Sequence, residues 1–150
     1  MNTIPVEKKN LEINEFLPYL LAHASNLVSR QIDEIAAAEI ISRNECKVLL
    51  TLINSEGVSL NQLADIMIIK QPTLSRIVEA MVEAQWLERK IVAEDRRAVN
   101  ISLTKVGREK AEPLLAHARK MDSIMQRNLG VMQSSQLKEL LSSLIGSESG

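Results

Sequence analysis

Apolar residues recur at helical spacing along most of this chain. From about Asn14 to about Ala38 they fall at Phe16, Leu17, Leu20, Leu21, Ala24, Leu27, Val28, Ile32 and Ile35, which predicts a first helix capped by Asn14 with Pro18 in its first turn. Ser42-Arg43-Asn44-Glu45 has the form of a capping box and opens a second helix. That helix carries Leu49, Leu50 and Ile53 on one side and is expected to stop at Gly57. Ser59-Leu60-Asn61-Gln62 repeats the capping form for a short third helix with Leu60, Leu63, Ala64 and Met67 inward. Ile68-Ile69-Lys70 then leads into a fourth helix, whose Leu74, Ile77, Val78, Met81 and Val82 make one apolar stripe.

The period then drops to two. Val99, Ile101 and Leu103 alternate with Asn100 and Ser102, which predicts a strand with one dry face, paired with Leu87–Val92 across an Ala93–Ala98 tip. Thr104 caps a fifth helix running to about Leu129, and Gly130 closes it. A final helix is expected from Ser134 or Ser135, with Leu137, Leu140, Leu141, Leu144 and Ile145 along one face. The predicted fold is mainly α with a small β-hairpin wing: a winged helix-turn-helix over residues 42–108, flanked by helical regions 1–41 and 109–150, in one compact chain. The apolar faces of the flanking regions exceed what so small a core can bury, so they are expected to dimerise with a second copy.

Composition supports packed helices. Hydrophobic residues make up 45% of the chain, yet the aromatics are only Phe16, Tyr19 and Trp86, so the core is left to aliphatic residues and methionine. The first ten residues carry Lys8 and Lys9 and resemble no secretory signal; no apolar run is long enough to span a bilayer. A single cysteine, Cys46, fits a reducing compartment, so a cytoplasmic protein without membrane contact is expected. The net charge of −1 hides an asymmetry. Residues 1–69 hold five Lys/Arg against nine Asp/Glu, whereas residues 70–108 hold eight against five. Because phosphate attraction acts over about 8–10 Å, that local excess matters more than the total.

The excess falls where groove-reading chemistry is expected. Gln71, Pro72, Thr73, Ser75 and Arg76 open the fourth helix, and Arg76 lies off its apolar stripe. An outward guanidinium there can fork onto guanine, Gln71 can read adenine, and Thr73 and Ser75 can bond phosphates or bases. For Ser75 a plain helix-surface role competes. Pro72 pre-shapes the helix start and leaves early N–H groups for a phosphate. On the wing, Arg96 and Arg97 are expected near the tip, one entering the minor groove and the other paired with Asp95, while Arg89 and Lys90 reach phosphates.

With Leu63-Ala64, Gln71-Pro72-Thr73-Leu74-Ser75-Arg76, Asp95-Arg96-Arg97 and Leu103-Thr104-x-x-Gly107 in this order and spacing, the chain resembles the MarR family of winged-helix regulators. Asp-Arg-Arg followed by Leu-Thr-x-x-Gly is the specific part. Ile68 and Gln85 stand where that family often has glycine, which bears on local turn geometry. The resemblance implies a homodimer that binds double-stranded DNA, most simply a repressor on a palindromic operator, released by a small ligand or by oxidation.

Two features bear on that release. Tyr19, His23, Asn26 and Arg30 form a polar line beside the apolar stripe of the first helix, suited to an aromatic or phenolic acid, or equally to hydrogen bonds within a dimer interface. Effectors of the resembled family lodge beside the first helix, which favours the pocket. Cys46 precedes Leu49 and Leu50 on the inward side of its helix, so a packed thiol is expected; a redox-responsive regulator acting through it is the alternative. A winged-helix module that binds protein instead of DNA is a further alternative, opposed by cations on both reading elements. Enzyme signatures are absent, and two histidines with one cysteine give no ground for a metal or cofactor.

Overall fold

The computed structural model describes residues 12–147. The chain divides into two compact units, Met1–Arg43 and Asn44–Gly150. In the first, a short 3₁₀ turn, Glu12–Glu15, precedes helix α1, Leu17–Ala38. The N-cap is Phe16 and not the expected Asn14. Pro18 explains the shift: a helix capped by Asn14 would place it where the first helical N–H must bond, whereas a start at Leu17 puts it where no donor is needed. Helix α1 ends in a Schellman turn, with Ile41 N–H on the Ala36 carbonyl at 3.0 Å, Ile40 N–H on that of Ala37 at 3.2 Å, and Ile40 at φ 56°. Arg43 forms an ion pair with Asp33.

Helix α2 spans Arg43–Leu52 and buries Cys46, Val48, Leu49 and Leu52. It stops well before Gly57, contrary to expectation, because other groups take its last carbonyls. Ser55 N–H bonds Leu52 at 3.0 Å, and the Arg108 guanidinium bonds the Ile53 carbonyl at 3.0 Å. Gly57, at φ 135°, instead opens a two-residue strand, β1 (Val58–Ser59), that the sequence pattern did not reveal. A side chain there would meet the Asn100 Cβ at 3.2 Å.

Helix α3, Leu60–Met67, starts on the expected capping box: Gln62 N–H donates to Ser59 Oγ at 3.2 Å, and Ser59 N–H to Gln62 Oε1 at 3.0 Å. Helix α4, Gln71–Glu83, follows, then strands β2 (Leu87–Val92) and β3 (Asp95–Leu103). The sheet is antiparallel in the order β1-β3-β2, with Val58 opposite Ile101 and Leu87 opposite Leu103. The expected single dry face of β3 does not hold. Ile101, Ser102 and Leu103 are all buried, while Val99 is 41% exposed. The strand lies between two others at its base, where both faces are covered, and projects toward its tip.

Helix α5, Lys105–Leu129, runs to Gly130, and α6 spans Val131–Ser147. The last helix therefore begins ahead of the expected Ser134 or Ser135. Gly130, at φ 90°, turns the chain once, and its carbonyl already accepts Ser134 N–H at 2.9 Å, so Ser134 lies within the first turn. The core of this second unit is aliphatic, built on Leu49, Leu52, Leu63, Leu74, Val78, Met81, Leu87 and Leu114.

Candidate nucleic-acid interface

Leu74, Val78 and Met81 seat α4 in the core, and that choice of face turns Gln71, Thr73 and Arg76 outward. Ser75 is half-buried beside the Leu74 and Val78 face. No side chain caps the helix: Lys70 is the N-cap without a capping bond, and Pro72 sits in the first turn. Gln71 is not free-standing. Its Nε2 donates to Asn61 Oδ1 at 2.6 Å. Sequence reasoning assigned Asn61 no role, since only the turn between α3 and α4 brings it near.

That turn is a Schellman motif, with Ile69 N–H on the Ala64 carbonyl at 3.1 Å and Ile68 in the left-handed region at φ 55°. Helix α4 ends the same way, with Trp86 N–H on Met81 at 2.9 Å and Gln85 at φ 61°. Ile68 and Gln85 thus adopt the conformation that glycine takes at such positions, so their presence leaves the turn geometry unchanged and adds backbone strain.

The Leu-Thr-x-x-Gly run is a seam between wing and helix. Leu103 is buried at the base of β3. Thr104 caps α5 by accepting Gly107 N–H at 3.0 Å, and its hydroxyl donates to the Gln85 carbonyl at 2.6 Å. Thr104 N–H also bonds the Trp86 carbonyl at 3.0 Å. Gly107 packs so closely that a Cβ there would stand 1.9 Å from the Trp86 carbonyl oxygen. Lys110 lies over the Trp86 ring, 4.7 Å from its centroid. The end of α4, the base of the wing and the first turn of α5 are held together by these contacts.

On the wing the ladder passes from Ile91 opposite Val99 to Val92 opposite Asp95, so Arg96, Arg97 and Ala98 bulge out of it beside an Ala93-Glu94 turn. Among the described residues Asp95 pairs with no guanidinium, contrary to expectation. Its carboxylate accepts the backbone N–H of Arg97 at 3.0 Å, because that donor lies two residues away and shapes the turn. Lys90 is held by Glu88 at 2.7 Å. Arg76, Arg89, Arg96 and Arg97 are exposed and, among the described residues, have no carboxylate partner.

In the first unit, Tyr19, His23 and Asn26 line a depression of about 230 Å³ together with Ala22; Arg30 does not line it. The Tyr19 and His23 rings lie 5.7 Å apart, tilted by 51°. Cys46 is fully buried, and burial pushes its thiol pKa up, which suppresses the thiolate that redox chemistry needs. Among the described residues no group of His, Cys, Asp and Glu side chains is arranged to hold a metal ion, and no helix is long and apolar enough to cross a membrane.

A sequence model of the MarR family matches residues 41–99, from the end of the first unit to the middle of β3. The regulator PecS of Dickeya dadantii is 30% identical over 105 residues, which cover 67% of this chain and 63% of PecS, so the match spans just under two thirds of that relative. A crystal structure of a MarR family transcriptional regulator from Silicibacter pomeroyi superposes with a TM-score of 0.78 at 27% identity, covering 90% of this chain and 96% of that one. The S. aureus protein MepR, solved as a complex with DNA, superposes with a TM-score of 0.73 at 22% identity, covering 88% and 98%, and shares the fold.

Proposed function

Because this chain belongs to the MarR family, we propose that it is a non-enzymatic, DNA-binding transcriptional regulator: a homodimeric repressor on a palindromic operator, displaced by a small aromatic or phenolic acid. The observation that carries the DNA-binding reading is the set of exposed guanidinium groups without carboxylate partners on both α4 and the wing, Arg76 on one and Arg89, Arg96 and Arg97 on the other. Acid residues elsewhere leave the chain at −1, yet residues 70–108 keep an excess of eight Lys/Arg over five Asp/Glu. A phosphate backbone supplies the missing counter-charge, while the outward Thr73 and Arg76 offer groups for base edges. Likeness in fold to MepR, a protein solved on DNA, supports the same reading.

The test is the binding of duplexes selected from a random library, followed by fluorescence anisotropy across a salt series. The expected result is sequence-selective binding that falls linearly with log salt, at roughly 0.9 per phosphate neutralised. Binding that is absent, or indifferent to salt, would exclude this role and favour a protein-binding winged helix.

The depression at Tyr19, His23 and Asn26 favours a ligand role over a purely structural one, because it brings a ring, an imidazole and an amide to one hollow. A ligand acts on DNA binding only through its differential affinity for the two states. A panel of benzoate- and cinnamate-like acids should weaken operator binding of the unaltered chain, and His23→Ala should bind operator normally yet lose the response. Silence of the whole panel in calorimetry returns these residues to the dimer interface.

A further inference from the structure

We propose that Asn61 is a positioning residue for sequence reading, which fixes the Gln71 side-chain amide so that it presents an adenine-matching edge; the inference rests on the DNA-binding reading above. Gln71 is the first residue of α4 and Asn61 the second of α3, and both are exposed. The Ser59–Gln62 capping box fixes where α3 begins, and the Schellman turn at Ile68 fixes how α4 leaves it. Those two devices bring the amides within a single hydrogen bond, Gln71 Nε2 to Asn61 Oδ1, at 2.6 Å.

That bond leaves the free edge of the Gln71 amide intact. With one N–H given to Asn61, Gln71 keeps one N–H and its Oε1, the donor and acceptor that adenine meets with N7 and its 6-amino group. An unheld glutamine at a helix start samples many rotamers, and each must be frozen on binding; the bond to Asn61 does this beforehand. Asp65 lines the same polar hollow as Asn61 and Gln71, and its carboxylate repels a phosphate, which turns the pair toward bases instead.

The experiment uses the full chain and a duplex it has itself selected. Each adenine is replaced in turn by 7-deazaadenine, which pairs normally but lacks the N7 acceptor. At one adenine of each half-site the replacement should weaken binding about fivefold or more. That penalty should vanish in Gln71→Ala and in Asn61→Ala, and persist in Asn61→Asp, whose carboxylate still accepts the Gln71 N–H. Thermal midpoints should not move, since both side chains are exposed; a structural role alone would move the midpoint and leave the penalty. If Asn61→Ala keeps the full penalty, or no adenine is sensitive, the inference is overturned while the DNA-binding reading stands. If the unaltered chain selects no duplex, both fall.

Discussion

At the scale of single residues, the sign of a substitution depends on backbone conformation more than on residue type. Ile68 is 92% exposed and holds a left-handed φ of 55°, so its side chain gains little from burial while its backbone bears a cost of roughly 1–2 kcal/mol. Ile68→Gly relieves that cost but gives the unfolded chain more freedom. A net gain of about 0.5–1 kcal/mol is expected in urea unfolding. Gly107→Ala should do the reverse. Its new Cβ would stand 1.9 Å from a backbone oxygen that cannot swing away, so a loss of about 3 kcal/mol or more is expected, together with shifted Trp86 fluorescence. Cys46 adds a pH dependence. Its folded pKa is raised by burial, so its contribution is present below the pKa of the unfolded thiol and is lost as pH climbs through the folded value. Cys46→Ala should flatten the alkaline limb of the stability profile, and iodoacetamide should leave the native thiol unmodified at neutral pH.

Among the elements, those announced by side-chain chemistry at fixed spacing were legible in the sequence. The Ser59–Gln62 box could be read because it needs two particular side chains three positions apart, and the Thr104 cap because a hydroxyl stands where the strand pattern ends. Strand β1 could not, since two residues carry no period. The start of α6 was misplaced because Ser134 looks like a cap, whereas the preceding glycine turn had already supplied the first acceptor. Asp95 was assigned to a guanidinium when a closer backbone donor takes it, a competition that residue types alone do not reveal. Helix α4 and the wing were visible as elements, but the Asn61–Gln71 bond between elements required the fold. Helix and wing should also fail differently. Arg76→Ala is expected to cost about 1–3 kcal/mol on a selected duplex and to relax one base preference, while Arg97→Ala should weaken all duplexes alike and lower the salt slope by about 1. If both variants bind as the parent does, α4 and the wing do not form the DNA-binding face.

On the scale of the whole molecule, apolar surface is left over after the second unit has filled its core. Leu140 and Ile145 on α6 are 68% and 73% exposed, with Leu137 and Leu144 beside them, and in the first unit the N-cap Phe16 and Leu17, Leu20 and Leu27 of α1 are exposed as well. Fully burying one such side chain is worth about 1.5–3 kcal/mol, so several from each protomer outweigh an association cost estimated at about 4–15 kcal/mol. We propose a second copy as the economical partner: it would bring the same faces, and its two-fold symmetry would duplicate α4 for half-sites about one turn, or roughly 10 bp, apart. The unaltered chain should therefore sediment as a dimer at micromolar concentration. Leu140→Glu with Leu144→Glu should give unfolded or aggregated chain, because an obligate dimer seldom leaves a stable monomer behind. A well-folded monomer of the unaltered chain at that concentration would refute the dimer, and the palindromic operator would lose its rationale with it.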